Sequence, residues 1–259
     1  MEMKGILIVG HGSRYDYNKN VMELQAKRLR EKGFERVYIG FNEASEPSIE
    51  DAMISMARDG IDDVMVIPFF IASGLHMTRD IPPKIGLASG VREGTVDIEG
   101  RSMNVCFEKP FGNDPLLARI LRDNISEASG GKKRTAALII GHGSKLGYNQ
   151  ETVEFQTEEL RKLGLDAHSA FNEFNEPKIE ETMERLASEG ADEIIVAPLF
   201  ISLGDHLKND VPPKIGLKDG ISEGDAVFAG RTVGVKYLLP IGEDPRLTEV
   251  LAEKIAGRA

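Results

Sequence analysis

Two short stretches of this sequence carry residues able to do chemistry. Val9-Gly10-His11-Gly12-Ser13-Arg14 returns 131 positions later as Ile140-Gly141-His142-Gly143-Ser144-Lys145. A second histidine, His76 in Gly74-Leu75-His76, returns as His206 in Gly204-Asp205-His206, and Glu43 in Phe41-Asn42-Glu43 returns as Glu173 in Phe171-Asn172-Glu173. Two imidazoles and a carboxylate suit a divalent first-row metal, and the same groups act as bases near neutral pH. His11, Glu43, His76, His142, Glu173 and His206 are therefore the candidate metal ligands, and the four histidines the candidate catalytic bases. Ser13, Arg14, Ser144 and Lys145 follow the glycines and precede helices, where backbone N–H groups attract anions, so they are candidate contacts for an anionic substrate. A histidine after a strand is often only a capping group. Here four of the five fall at equivalent positions of a repeat, whereas His168 has no counterpart and reads as structural.

The elements that must position these groups alternate between strand and helix. Ile6-Leu7-Ile8-Val9 and Ala137-Leu138-Ile139-Ile140 read as buried parallel strands ending in sharp glycine turns. Residues 15–32 carry an apolar face among charges and stop at Gly33, as a surface helix does. A second strand at 37–41, a helix with Pro47 in its first turn ending at Gly60, and a third strand at 64–70 follow. From Arg79 to residue 102, including Pro82-Pro83, the chain reads as loop. A fourth strand at 103–107, with Cys106 as a small core residue, and a helix over 114–127 complete the unit. This alternation predicts an α/β parallel sheet. If its strands take the flavodoxin-like order 2-1-3-4, assumed by analogy with that fold, His11 and His76 flank the point of reversal.

Residues 126–134 are polar and glycine-containing and read as a linker, after which the pattern restarts. The offset between copies is 131 at the first motif and 130 from Phe41 onward. Two domains are expected, residues 1–130 and 131–259, related by a pseudo-two-fold axis as in a fused homodimer.

Composition narrows the class. A net charge of −10 in 259 residues disfavours nucleic acid, which selects a basic surface. One cysteine excludes an internal disulfide framework and fits a reducing compartment. No apolar stretch approaches a membrane span, and the first residues lead directly into a strand without a signal-like core, so a cytoplasmic protein is expected.

Together GHGSR, FNEASEP and PFFIASGLHMTRDIP, with their copies GHGSK, FNEFNEP and PLFISLGDHLKNDVP, resemble the class II tetrapyrrole chelatases, and most closely the small sirohydrochlorin chelatases of the CbiX and CfbA type. The resemblance covers both halves and implies two chelatase-like domains. It implies insertion of Co²⁺, with Ni²⁺ or Fe²⁺ as alternatives, into sirohydrochlorin without ATP, in tetrapyrrole biosynthesis of the cobalamin, siroheme or F430 type. The absence of a phosphate-loop motif agrees with this. No permanently bound cofactor is expected, since the metal is a substrate. The partners are sirohydrochlorin and the ion, with no nucleic acid or membrane, and the chain is expected to act as a monomeric pseudo-dimer. Phe69, Phe70, Leu75, Leu199 and Phe200 are expected to floor the cleft. Long relatives often lose the histidines of one half, but this chain keeps both sets, leaving open two competent sites or one shared cavity. A metal or tetrapyrrole carrier would use the same groups without turnover. A histidine-type phosphatase is the other alternative, although it favours arginine where Gly10 and Gly141 stand.

Overall fold

Leu7, Ile8 and Val9 are fully buried, so the strand they form, β1 (Lys4–Gly10), is covered on both faces as a central parallel strand must be. The computed structural model describes residues 3–13, 15–132, 134–218 and 220–257. In chain order β1 is followed by α1 (Tyr17–Glu31), β2 (Val37–Phe41), α2 (Ile49–Arg58) and β3 (Asp63–Pro68). A π-helical turn, His76–Asp80, runs into α3 (Ile81–Lys84), and then come β4 (Glu93–Ile98), β5 (Arg101–Phe107) and α4 (Pro115–Ala128). The second copy is β6 (Thr135–Gly141), α5 (Tyr148–Lys162), β7 (Ala167–Phe171), α6 (Ile179–Ser188), β8 (Glu193–Pro198), a π-helical turn His206–Asp210, α7 (Val211–Lys214), β9 (Glu223–Phe228), β10 (Arg231–Tyr237) and α8 (Pro245–Ala256).

Each copy builds one five-stranded sheet, in the orders β2-β1-β3-β5-β4 and β7-β6-β8-β10-β9. β1 pairs parallel with β2 and β3, and β3 pairs parallel with β5, so the expected 2-1-3-4 order holds with β5 as its fourth strand. β4 is an addition that the sequence did not predict, an antiparallel edge strand paired with β5. Only Val96 of β4 is buried, which leaves little apolar pattern to read. Its hairpin turns through Glu99 and Gly100, both at positive φ, and β9 turns in the same way through Ala229 and Gly230.

The supposed loop after His76 is also structured. The amide of Ile81 donates to the carbonyl of His76, five residues back, which defines the π turn. Pro82 and Pro83 then open α3 rather than stiffening a loop, because a helix's first residues need no N–H donor. Pro47 does not begin α2. It precedes the cap, its carbonyl accepting from Phe41 N at 2.9 Å, and Ser48 Oγ caps the helix by accepting from Asp51 N at 3.0 Å.

The chain divides into two compact units, residues 1–111 with 242–259, and residues 112–241. The repeat boundary at 130/131 is therefore not the boundary between units. In the first unit α1 receives α8, and in the second α5 receives α4. One device recurs in both. Gln25, fully buried on α1, donates through Nε2 to the carbonyls of Gly242 and Asp244 at 2.8 and 3.4 Å, and its Oε1 accepts from Thr248 Oγ1 at 2.6 Å. Gln156 on α5 donates to the carbonyls of Gly112 and Asp114 at 2.6 and 2.9 Å.

In the first unit α2 and α3 lay Ile49, Met53, Met56, Ile81 and Ile85 against Leu7, Val9, Val66 and Val105. Truncating one such buried chain to alanine costs about 2–5 kcal/mol, so the sheet is a rigid base for the groups at its strand ends. Cys106 departs from its expected place. It is half-buried and lines a cavity of about 790 Å³ with Phe34, Met65 and Ile255. The expected linker is helical to Ala128, and beyond it Gly130 N donates to the Glu193 carboxylate at 3.0 Å.

Candidate metal centre

Glu43, His11 and His76 follow the carboxyl ends of β2, β1 and β3, three neighbouring strands, which is why side chains far apart in sequence meet. Each offers one ligand atom, and these atoms lie within 4.8 Å of one another; His142, Glu173 and His206 do the same in the second unit. Two ligands on one first-row ion stand at most about 4.2 Å apart, so small side-chain adjustments close either triad on an ion.

His11 Nδ1 stands 3.1 Å from Glu43 Oε1, and the His11 and His76 rings meet edge-on with centroids 4.7 Å apart. His142 and His206 repeat this at 4.6 Å and 89°, with Glu173 Oε1 3.9 Å from His206 Nδ1. The side chains of His11 and Glu43 keep 49% and 55% of their accessible surface, so an ion and a second substrate reach them from solvent.

The glycines have a distinct task. Gly12 has φ of +84°, and a Cβ there would lie 1.7 Å from the Glu43 carbonyl oxygen; at Gly143 the distance to the Glu173 carbonyl is 2.1 Å. Only glycine lets the two strand-end loops pass so closely. The backbone seals the contact, since Glu43 N donates to His11 O at 3.0 Å and Glu173 N to His142 O at 2.9 Å.

Among the expected anion contacts, Ser13 is tied into the loop, its amide donating to Ser45 Oγ at 3.0 Å. Ser144 N likewise donates to Asn175 Oδ1 at 2.7 Å. Lys145 Nζ lies 5.6 Å from the Phe174 ring centroid. Arg14 lies outside the described residues. The expected apolar floor divides. Phe69 and Leu199 are buried core at 1% exposure each, Phe69 packing on Phe111, because they continue the buried β3 and β8 inward. Phe70 and Phe200 do approach the histidines, with centroids 6.4 Å from His76 and His142 respectively, and Leu75 is exposed. His168 stands apart, pairing with Asp166 at 2.8 Å and Arg185 at 3.2 Å on β7.

Two carboxylates escaped the sequence reading. Asp80 Oδ2 lies 2.9 Å from His76 Nδ1, and Asp210 Oδ2 lies 2.5 Å from His206 Nδ1. A carboxylate on Nδ1 holds the proton there and presents Nε2 to a metal. The Arg79 guanidinium, with His76 as a lesser contributor, holds the Asp80 carboxyl below the usual carboxylate range. The repeated His-x-x-x-Asp spacing in HMTRD and HLKND was the available signal. Lys84 and Lys214 were also passed over. Each donates Nζ to the backbone carbonyl before the glutamate, on Asn42 and on Asn172, and so fastens the loop that carries the carboxylate.

The CbiX family model matches the chain twice, over residues 5–128 and 136–257. The sirohydrochlorin cobaltochelatase of Methanosarcina acetivorans is 38% identical over 129 residues, covering 49% of this chain and 98% of the relative. That of Methanopyrus kandleri is 36% identical over 144 residues, covering 49% of this chain and 99% of the relative. Among solved structures, SirB from Bacillus subtilis with Fe³⁺ superposes with a TM-score of 0.74 at 19% identity over 98% of this chain and 94% of that one, a likeness of fold.

Proposed function

Since the chain belongs to the CbiX family in both of its halves, we propose that it is a chelatase that inserts a divalent metal ion into sirohydrochlorin without ATP. The observation that carries this reading is the His-Glu-His triad, present once in each matched half at the ends of three neighbouring strands. The duplicated unit is residues 1–130 and 131–259, and one chain supplies both copies, so the monomer does the work of a pair.

Insertion exchanges water on the ion for four ring nitrogens and releases two pyrrole N–H protons. His11 and His76 with Glu43, and His142 and His206 with Glu173, receive the ion through three or fewer protein atoms and leave its remaining positions for the ring nitrogens. So few ligands hold the ion loosely, and transfer to a four-nitrogen ring runs downhill. Once the ion has left, the freed imidazoles and carboxylate accept the two protons. The carboxylate edge of sirohydrochlorin meets Ser13, Arg14, Ser144, Lys145 and the N–H groups of the glycine loops.

Co²⁺ is the leading ion, supported by the named activity of the relatives, with Ni²⁺ and Fe²⁺ as alternatives, since all three accept imidazole and carboxylate ligands and availability selects among them. No helix among the described residues is long and apolar enough to cross a membrane, and the proposed place of action is the cytoplasm. Anaerobic insertion followed by absorbance tests the reading. Replacing His11 and His76 together by alanine, or His142 and His206 together, is expected to lower the rate, and replacing all four to abolish it. A fourfold variant that inserts Co²⁺ at the wild-type rate would overturn the proposal, and competition among the three ions assigns the metal.

A further inference from the structure

The two triads are not dressed alike. Beside Glu43 the first unit has Ala44, and beside Glu173 the second has Phe174. Both residues adopt left-handed backbone, with φ of 56° and 52°. A left-handed conformation is unfavourable for any residue with a Cβ and rare for a bulky one, and such strain gathers at working sites. Phe174 gains little burial in return, since 53% of it remains exposed. Its ring runs 19° from the plane of His142, with centroids 6.3 Å apart, and Lys145 Nζ stands near the same ring. Alanine serves the same backbone turn in the first unit, so folding alone does not call for an aromatic here. In the first unit the exposed Leu75 is aliphatic, the exposed Tyr15 pairs with Tyr17 at 6.0 Å between ring centroids, and Phe70 beside His76 has its own counterpart in Phe200 beside His142, so Phe174 is the aromatic that the second triad adds.

We propose that Phe174 is a stacking platform for the conjugated face of the tetrapyrrole, which makes the second unit the one with the tighter hold on the macrocycle. The inference rests on the chelatase reading and adds to it a division of labour between halves. A sirohydrochlorin ring has a flat unsaturated face and an acidic edge. Phe174 matches the first by offset stacking, and Lys145 matches the second by charge. Because Phe174 is the next residue after Glu173 and its ring runs nearly parallel to that of His142, a macrocycle lying against it is held beside the atoms that hold the ion.

The test is titration of metal-free sirohydrochlorin, followed by its fluorescence, into the wild type, Phe174→Ala, Phe174→Leu and Phe174→Tyr, with Co²⁺ binding measured separately without the ring. Phe174→Ala is expected to weaken macrocycle binding on the order of five-fold and to leave Co²⁺ binding unchanged. Phe174→Tyr is expected to stay near the wild type, and Phe174→Leu to behave as the alanine variant, since it retains bulk without the π face. In insertion assays the KM for the ring rises while the KM for Co²⁺ does not. Wild-type macrocycle affinity in Phe174→Ala, or in Phe174→Leu, would overturn the inference while leaving the chelatase reading intact. A wild-type protein that neither binds sirohydrochlorin nor inserts metal into it would overturn the chelatase reading itself.

Discussion

The carbonyl oxygen of Glu43 occupies the space that a side chain on Gly12 would need, 1.7 Å from where its Cβ would lie. This contact, together with the bond from Glu43 N to His11 O, joins the loop that bears His11 to the loop that bears Glu43. Gly12→Ala must displace one of them, and it also places alanine at φ of +84°, a cost of about 1–2 kcal/mol. A displacement near 1 Å at a constellation of this kind costs about a hundred-fold. Calorimetric Co²⁺ titration in a His142→Ala, His206→Ala background is expected to show first-unit affinity falling by at least about ten-fold. Gly143→Ala should do the same to the second unit, where the approach is 2.1 Å.

Asp80 and Asp210 sit four residues after His76 and His206, on the same π-helical turns. Removing a carboxylate that orients a ligating imidazole typically costs 10–100-fold in metal affinity. Asp80→Asn is expected to weaken Co²⁺ binding by about that factor in the first unit, and Asp210→Asn in the second, while melting temperatures hold. Unchanged affinity in both variants would show that these carboxylates do not act through the histidines.

Gln25 is the buried link between α1 and the segment that enters α8. Gln25→Leu removes its two donor bonds and strands the Thr248 hydroxyl, an expected loss of about 2–3 kcal/mol. Hydrogen exchange should report the loss in α8 and α1 before α4 and α5. Gln156→Leu is expected to reverse that order.

At the opposite end of β3 from the triad, Asp62 accepts from the amide of Met3 at 2.9 Å and from Arg101 at 2.6 Å. The Met3 amide first, then Arg101, hold its carboxyl below the ordinary 3.8. A lowered folded-state value means that the group stabilises the fold above 3.8 and that this contribution disappears as pH falls through the folded-state value. Denaturation of wild type and Asp62→Asn is therefore expected to differ by a constant amount near neutrality. The difference should close as the medium is acidified below 3.8.

His11, Glu43 and His76 are legible in the sequence because each follows an apolar run and each recurs in the second half. Strand ends in a parallel sheet share one edge, so repeated polar residues at those ends point to one place. Asp80 was not legible, because its pairing with His76 depends on a π turn inside a stretch whose glycines and prolines read as loop. β4 was hidden for a different reason. An edge strand with one buried side chain carries too little alternation to be recognised. Phe69 and Leu199 were misplaced because an apolar residue at a strand end serves core and cleft equally well in sequence, and only packing separates the two.

What the sequence by itself determined is the duplicated α/β unit and the six side chains offered as metal ligands, both of which follow from local pattern and repetition, whereas the strand order was taken by analogy and fixed by the sheet pairing. What only the tertiary structure decided is which helix completes which unit, and which carboxylate backs each imidazole. α4 and α8 present similar apolar faces, so composition cannot choose between α1 and α5 as their partner. That choice is made by chain connectivity in space, where Gln25 and Gln156 meet the carbonyls of one incoming segment and not the other.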